Sequence, residues 1–304
     1  MSSVLVLGST GSVGLAVATS FVKEGYRVYG VTRTQAKAAL LFSNQITPIV
    51  VGDIKETDKW TGIAEKVDII VEAVNEIADQ KAQFVVYQAI KTVVDKSAKN
   101  SKLVFYTSGA SVYGEVLDGA ITENTPYNPH PFLVERAGLQ RDYEKLGAVI
   151  VQPSFVTPSI VPYYNQLISA AKDGVITTSG TVNQYHGYVH PQDLANFYVL
   201  AAKNGTDAVR GQVFIVNAYN ESVSDLLLEF AKAQGLGQTL TKVQFVKPAD
   251  LLSEFVGISQ KVSSAKAHNV LGWYPKQLPI VENAKIYLQT WANEKAKYDD
   301  YNHA

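Results

Sequence analysis

Residues 4–18 read VLVLGSTGSVGLAVA. Val4–Leu7 is an unbroken apolar run, the pattern of a strand covered on both faces. Gly8, Gly11 and Gly14 then punctuate the entry into a helical stretch that begins at Ser12 and stops at Gly25. Glycines in such a turn let the backbone fold tightly and let a pyrophosphate approach closely. The helix start adds N–H groups and partial positive charge. The spacing is G-x-x-G-x-x-G rather than G-x-G-x-x-G. Its place, after a first strand and at the opening of a helix, is the context a dinucleotide site requires. The plain alternative is a tight strand–helix turn that binds nothing.

Outward from this loop the alternation continues. Strands are expected over Arg27–Val31, Ile46–Val51, Val67–Val71, Leu103–Tyr106 and Ala148–Gln152, and helices over Gln35–Phe42, Ile77–Ser97 and Leu133–Leu146. Strands alternating with helices mean βαβ units and a parallel sheet. After Pro153 the rhythm breaks in PSFVTPSIVPYYNQ, and the tail from Pro248 is mostly helical. The expected fold class is α/β: a Rossmann doubly wound parallel sheet with a smaller, mostly helical C-terminal substrate lobe. Residues 1–153, with about 186–218, are assigned to the nucleotide domain; about 154–185 and 219–304 are assigned to the smaller lobe.

Composition narrows the function. The 304 residues carry a formal net charge of −1 and are 18% charged, so no strong field draws the chain to nucleic acid or membrane. No cysteine is present, which excludes disulfides, thiolate metal sites and cysteine nucleophiles. Neither a HExxH metal spacing nor a G-x-S-x-G elbow occurs. No apolar run approaches the ~20 residues of a membrane span. These features predict a cytoplasmic protein with a small-molecule substrate and no metal.

The end of the second strand bears on the nucleotide. YGVTRT places Thr32 and Arg33 where a ribose diol calls for an acid. An arginine fork fits a 2′-phosphate, so NADP(H) is expected, unless Arg33 is a solvated surface residue. Asp53, in VVGDI, is placed to accept from an adenine amino group or to form a turn.

Taken together, GSTGSVG, VVGDI, DIIVEAV, FYTSGASVYG, YHGYVHPQDLANFYVLAA, GQVFIVN and NVLGWYP resemble the short-chain dehydrogenase/reductase superfamily in its extended, epimerase/dehydratase-like branch. The resemblance spans nearly the whole chain. It implies cofactor contacts from Gly8, Thr10, Gly11, Ser12, Val13 and Gly14 in the loop, and from Arg33, Asp53 and Ile54 at the next two strand ends. Further contacts are implied at Ala73, Val74 and Thr107, at Arg136, and at Pro153, Phe155 and Val156. It also implies a serine or threonine four residues before the Tyr-Gly tyrosine, and a Tyr-x-x-x-Lys on the next helix. This sequence has Gly109, Phe132 and Arg136 there, so the standard triad is absent.

Tyr113, Ser108 and Arg136 are the remaining candidates for catalysis, although Tyr113 can equally be a packing residue. Ser111, Phe132, Tyr163, Tyr185 and His186 are candidates to face substrate, with the lobe's own core as the alternative for its tyrosines. His130 and His190 are weaker candidates, His190 as a helix-start residue. Three functions stay open. The first is an NADP(H)-dependent reductase of a small carbonyl, imine or activated double bond with a non-standard site. The others are a non-catalytic NADP(H) sensor and a nucleotide-sugar epimerase or dehydratase. A homodimer through the helices near Ile77–Ser97 and Leu133–Leu146 is expected as an alternative to a monomer.

Overall fold

The structure is a computed structural model and describes residues 2–75, 79–157 and 160–302. Residues 76–78, where the expected Ile77–Ser97 helix begins, lie outside the described residues.

The first half runs β1 (Ser3–Leu7), α1 (Ser12–Lys23), β2 (Arg27–Thr32), α2 (Gln35–Ser43), β3 (Thr47–Val50), α3 (Asp58–Ala64), β4 (Ile69–Glu72), α4 (Gln80–Lys96) and β5 (Leu103–Thr107). A 3-10 turn over Ala110–Tyr113 leads to β6 (Val116–Ile121), and a second over Pro131–Leu133 opens α5 (Val134–Lys145), followed by β7 (Val149–Pro153). The remainder is β8 (Phe155–Val156), α6 (Val161–Ser169), β9 (Val175–Ser179), β10 (Tyr185–Val189), α7 (Pro191–Lys203), α8 (Thr206–Val209), β11 (Val213–Val216), β12 (Tyr219–Ser222), α9 (Val223–Ala233), β13 (Lys242–Val246), α10 (Leu251–Val256), β14 (Gln260–Val262), α11 (Ala265–Leu271) and α12 (Ala284–Asn302).

Seven strands form one parallel sheet in the order β11-β7-β5-β4-β1-β2-β3. The order reverses between β1 and β4, and that switch point opens a crevice at the strands' C-terminal ends. The central strand shows why its sequence is apolar throughout: Val4, Leu5, Val6 and Leu7 are all fully buried. Val4 and Val6 join the core with Phe21, Phe197, Tyr198 and Trp273 on the α1/α7 face. Leu5 and Leu7 join Trp60, Val86, Ile90 and Tyr143 under α3, α4 and α5.

A smaller C-terminal region has its own core around Tyr164, Ile168, Leu226, Leu227, Phe230 and Tyr287. It is fastened to the sheet by Asp193 at the start of α7. The Asp193 carboxylate, fully buried, accepts from the N–H groups of Lys276 and Gln277 at 2.9 and 3.0 Å. The indole of Trp273 donates to the Asp193 carbonyl. Strand β14 also pairs with β6, which brings the C-terminal region against the loop that follows β5.

Of the stretch expected to return to the main sheet, β11 does so. Strand β10 instead lies in a small sheet ordered β12-β10-β8, because Tyr185–Tyr188 pair antiparallel with Tyr219–Ser222.

Candidate dinucleotide site and its surroundings

Gly8 sits at φ +77°, a region that favours glycine, and a Cβ there would stand 2.5 Å from the Ala73 carbonyl oxygen. A Cβ on Gly14 would lie 2.1 Å from the Gly8 oxygen. The loop between β1 and α1 therefore packs backbone on backbone against the end of β4. Ser9 anchors it from the other side by donating to the Val31 carbonyl at 2.8 Å. Gly11 is the N-cap of α1 and is exposed; the helix has no side-chain cap and no acidic residue in its first turn. Its positive end is left to an external anion.

Three buried polar atoms without hydrogen-bond partners, among the described residues, sit at neighbouring strand ends. They are Thr32 Oγ1 closing β2, Glu72 Oε2 closing β4 and Ser108 Oγ just past β5. The glycine cradle beside an uncapped helix start fits a bound dinucleotide.

The other expected contacts fall into two groups. Val13, Ala73, Val74, Phe155 and Val156 are partly buried along this edge, as are Thr10, Ser12 and Ile54. Arg136 donates to Asn75 Oδ1 at 2.6 Å across the gap between α5 and the end of β4. Thr107 turns inward: its hydroxyl donates to the Glu72 carbonyl at 2.6 Å and meets the Tyr198 hydroxyl at 2.7 Å. Pro153 is buried in β7 opposite Val216. Asp53 is half-exposed, accepts from Lys55 N–H at 2.9 Å and pairs with the Lys55 ammonium at 3.2 Å, and these bonds hold its carboxyl below the usual range. Arg33 is exposed at the end of β2.

Tyr113 is 1% exposed, and its hydroxyl donates to Gln152 Oε1 at 2.7 Å. Burial holds its proton far above neutral pH. The expected proton donor is thus a core residue, with no free path to a substrate. His186 is likewise removed from the cleft: its Nδ1 meets the Tyr164 hydroxyl and its Nε2 meets the Gln184 amide, each at 2.9 Å. Burial lowers it to about 4. Ser111, Tyr163 and Tyr185 keep partly exposed side chains, with Lys261 Nζ 4.1 Å over the Tyr185 ring. Phe132 is 39% exposed at the mouth of α5. His190 serves the start of α7, accepting from Gln192 N–H.

Gly109 is extended, and a Cβ there would meet nothing nearer than the Pro153 oxygen at 3.8 Å. Space does not explain the missing serine. Glu72 was not among the expected residues, and its signal was a single acid in the apolar run DIIVEAV.

The model of the NAD dependent epimerase/dehydratase family matches residues 4–132. UDP-glucose 4-epimerase of Neisseria gonorrhoeae is 24% identical, over 77% of this chain and 83% of that one. The dTDP-glucose 4,6-dehydratase of Bacillus anthracis, solved with NAD, superposes with a TM-score of 0.79 at 15% identity, covering 99% of this chain and all of that one. The UDP-glucuronic acid 4-epimerase of Bacillus cereus, solved with UDP-glucuronic acid and NAD, gives 0.73 at 19% identity over 95% and 99% of the two chains.

These findings overturn the expected NADP(H)-dependent reductase, and with it NADP(H) as the cofactor. Four solved structures that share the fold hold NAD and are nucleotide-sugar epimerases or dehydratases. The arginine at the end of β2 misled because an exposed guanidinium there does not by itself require a phosphate. Among the described residues no helix is long and apolar enough to cross a membrane. By its glycine loop and sheet order the chain has the Rossmann fold of these solved epimerases and dehydratases, and its residues 4–132 match the model of the NAD dependent epimerase/dehydratase family.

Proposed function

We propose that the chain binds NAD(H) along the C-terminal edge of the sheet and acts on a nucleotide-linked sugar, as an epimerase- or dehydratase-type enzyme. The observation that carries this reading is the cradle of Gly8 and Gly14, where added Cβ atoms would strike backbone oxygens at 2.5 and 2.1 Å. In this reading Gly8, Gly11 and Gly14 lie under the pyrophosphate, with Thr10, Ser12 and Val13 beside it. Asp53 and Ile54 flank the adenine end. Ala73, Val74 and Arg136 line the nicotinamide half, and Pro153, Phe155 and Val156 close its far side. The bound dinucleotide would take a hydride from a hydroxyl-bearing carbon and return it. Arg136 supplies positive charge but no base, since it stays protonated. Ser108 and Ser111 are the hydroxyls left to hold a substrate oxygen.

A second reading is favoured by Gly109 and Phe132, neither of which can exchange a proton: an NAD(H)-binding sensor without turnover. In either case we place the protein in the cytoplasm. A homodimer would form across α4 and α5, where Phe84 and Val134 are 52% and 55% exposed.

The test is incubation with NAD+ and UDP-glucose, UDP-glucuronic acid or dTDP-glucose, followed by chromatography of the sugars. Conversion of one of them is expected. Bound NAD without conversion would favour the sensor, and failure to bind NAD would remove both readings.

A further inference from the structure

Beyond a carbonyl that accepts from Thr107 and an unpartnered Oε2, Glu72 has no role in the cofactor contacts proposed above. It closes β4 and is 1% exposed, in register with Leu7 of β1 and Tyr106 of β5. Its Oε1 accepts from Val74 N–H at 2.9 Å. Its Oε2 is buried and, among the described residues, has no hydrogen-bond partner. The same holds for the hydroxyls of Tyr106 and Tyr143, whose rings stack 4.2 Å apart at 11°. A carboxylate left half-paired in such a place is costly, and the neutral acid much less so. Burial raises Glu72 to about 7, against smaller pulls from the Val74 N–H and the Arg136 guanidinium. The polar and charged groups facing it are Tyr106 from β5 and Arg136 and Tyr143 from α5, while Tyr198 from α7 lies across the sheet with its hydroxyl on Thr107. From α4, Tyr87 packs edge-on against Tyr143. Arg136 is the cation of this set.

We propose that Glu72, with Tyr106 and Tyr143, forms a buried proton-holding site whose protonation follows the charge of the dinucleotide bound along the edge above it. This rests on the reading of that edge as an NAD(H) site. Oxidised NAD carries a positive nicotinamide ring that the reduced form lacks. A second positive charge near Arg136 favours the carboxylate, so the carboxylic O–H breaks and its proton passes to solvent. The unpaired hydroxyls of Tyr106 and Tyr143 are the donors available to the new carboxylate. Loss of the ring charge on reduction lets Glu72 rebind a proton. Glu72 touches no substrate; it is a positioning residue that acts through the field at the cofactor.

Two measurements test this. In infrared spectra of the ligand-free chain at pH 6, a protonated-carboxyl band is expected in wild type and missing in Glu72→Gln. Tyr143→Phe should keep that band to higher pH, having lost one donor to the carboxylate. In calorimetric titrations at pH 7, run in two buffers of different ionisation enthalpy, NAD+ should release up to about half a proton from wild type. NADH should release close to none, and Glu72→Gln none with either nucleotide. A missing band would overturn the proposal while leaving the cofactor reading intact. Equal release with NAD+ and NADH would overturn the coupling. Failure of both nucleotides to bind would overturn the cofactor reading and the coupling with it, leaving the infrared result to stand for Glu72 alone.

Discussion

Gly14→Ala and Gly11→Ala change one hydrogen to a methyl three residues apart, yet the structure assigns them different fates. At position 14 the new Cβ would fall 2.1 Å from Gly8 O, 2.7 Å from Gly8 C and 3.0 Å from Ser9 Cα. These are backbone atoms, so no side-chain rotation relieves the contact. Either α1 shifts or the loop leaves its seat on Ala73. Overpacking of this kind costs about 3 kcal/mol, a fall in melting temperature of roughly 6–12 °C for a large domain. At position 11 the nearest atom is Gly8 O at 3.5 Å, an ordinary contact, and φ is −79°. There the cost to folding should stay under about 1 kcal/mol, but the methyl stands on the exposed face where a pyrophosphate would approach. We expect Gly14→Ala to lose both stability and NAD+ binding. Gly11→Ala should melt within about 3 °C of wild type and bind NAD+ at least ~10-fold more weakly. Thermal melts and NAD+ titrations on the two variants decide it. A Gly14→Ala protein that melts with wild type, or a Gly11→Ala protein that falls as far as Gly14→Ala, would refute the reasoning.

Four further outcomes are expected. Asp193→Ala strips the buried acceptor from Lys276 and Gln277 N–H and should cost about 2–4 kcal/mol in denaturant unfolding, loosening the C-terminal region first as seen by hydrogen exchange. Tyr113→Phe loses its 2.7 Å bond to Gln152 and should cost about 1–2 kcal/mol while leaving NAD+ affinity unchanged; a lost affinity would return Tyr113 to the site. His186, lowered from its ordinary value of 6.5 to about 4, stays neutral in the fold while the unfolded chain takes up a proton. Stability should therefore fall by roughly 3 kcal/mol between about pH 6.5 and pH 4, and His186→Gln should flatten that slope. Glu72, raised from 4.5 to about 7, acts in the opposite sense. Its contribution is full below about pH 4.5 and declines by roughly 3 kcal/mol as pH rises through 7, so Glu72→Gln should lose that decline.

The main sheet could be read from the sequence because each of its strands announces itself locally. Val4–Leu7, Leu103–Tyr106 and Ala148–Gln152 are apolar runs bounded by turns, and the structure extends or shifts them by a residue or two. The strands that escaped notice lack that signature. Val116–Ile121 carries Asp118 and Gly119 and pairs with Gln260–Val262, more than a hundred residues away. Lys242–Val246 pairs with Val175–Ser179. Val116–Ile121 does not alternate, Lys242–Val246 alternates over only five residues, and each is held by a partner that no local pattern predicts. The same contrast divides the site. The glycine loop carries its geometry in three residues. Tyr113 and His186 looked available because a sequence does not show burial. Glu72 went unremarked because a single acid in a strand becomes significant only once Tyr106 and Tyr143 are seen to leave it unpaired.

The most direct test of the account is a calorimetric titration of the purified chain with NAD+ and, separately, NADP+. One saturable NAD+ site per chain is expected, with weaker or absent binding of NADP+ and loss of the NAD+ site in Gly11→Ala while the fold is kept. A chain that binds neither nucleotide, or a Gly11→Ala variant that binds NAD+ as wild type does, would contradict it.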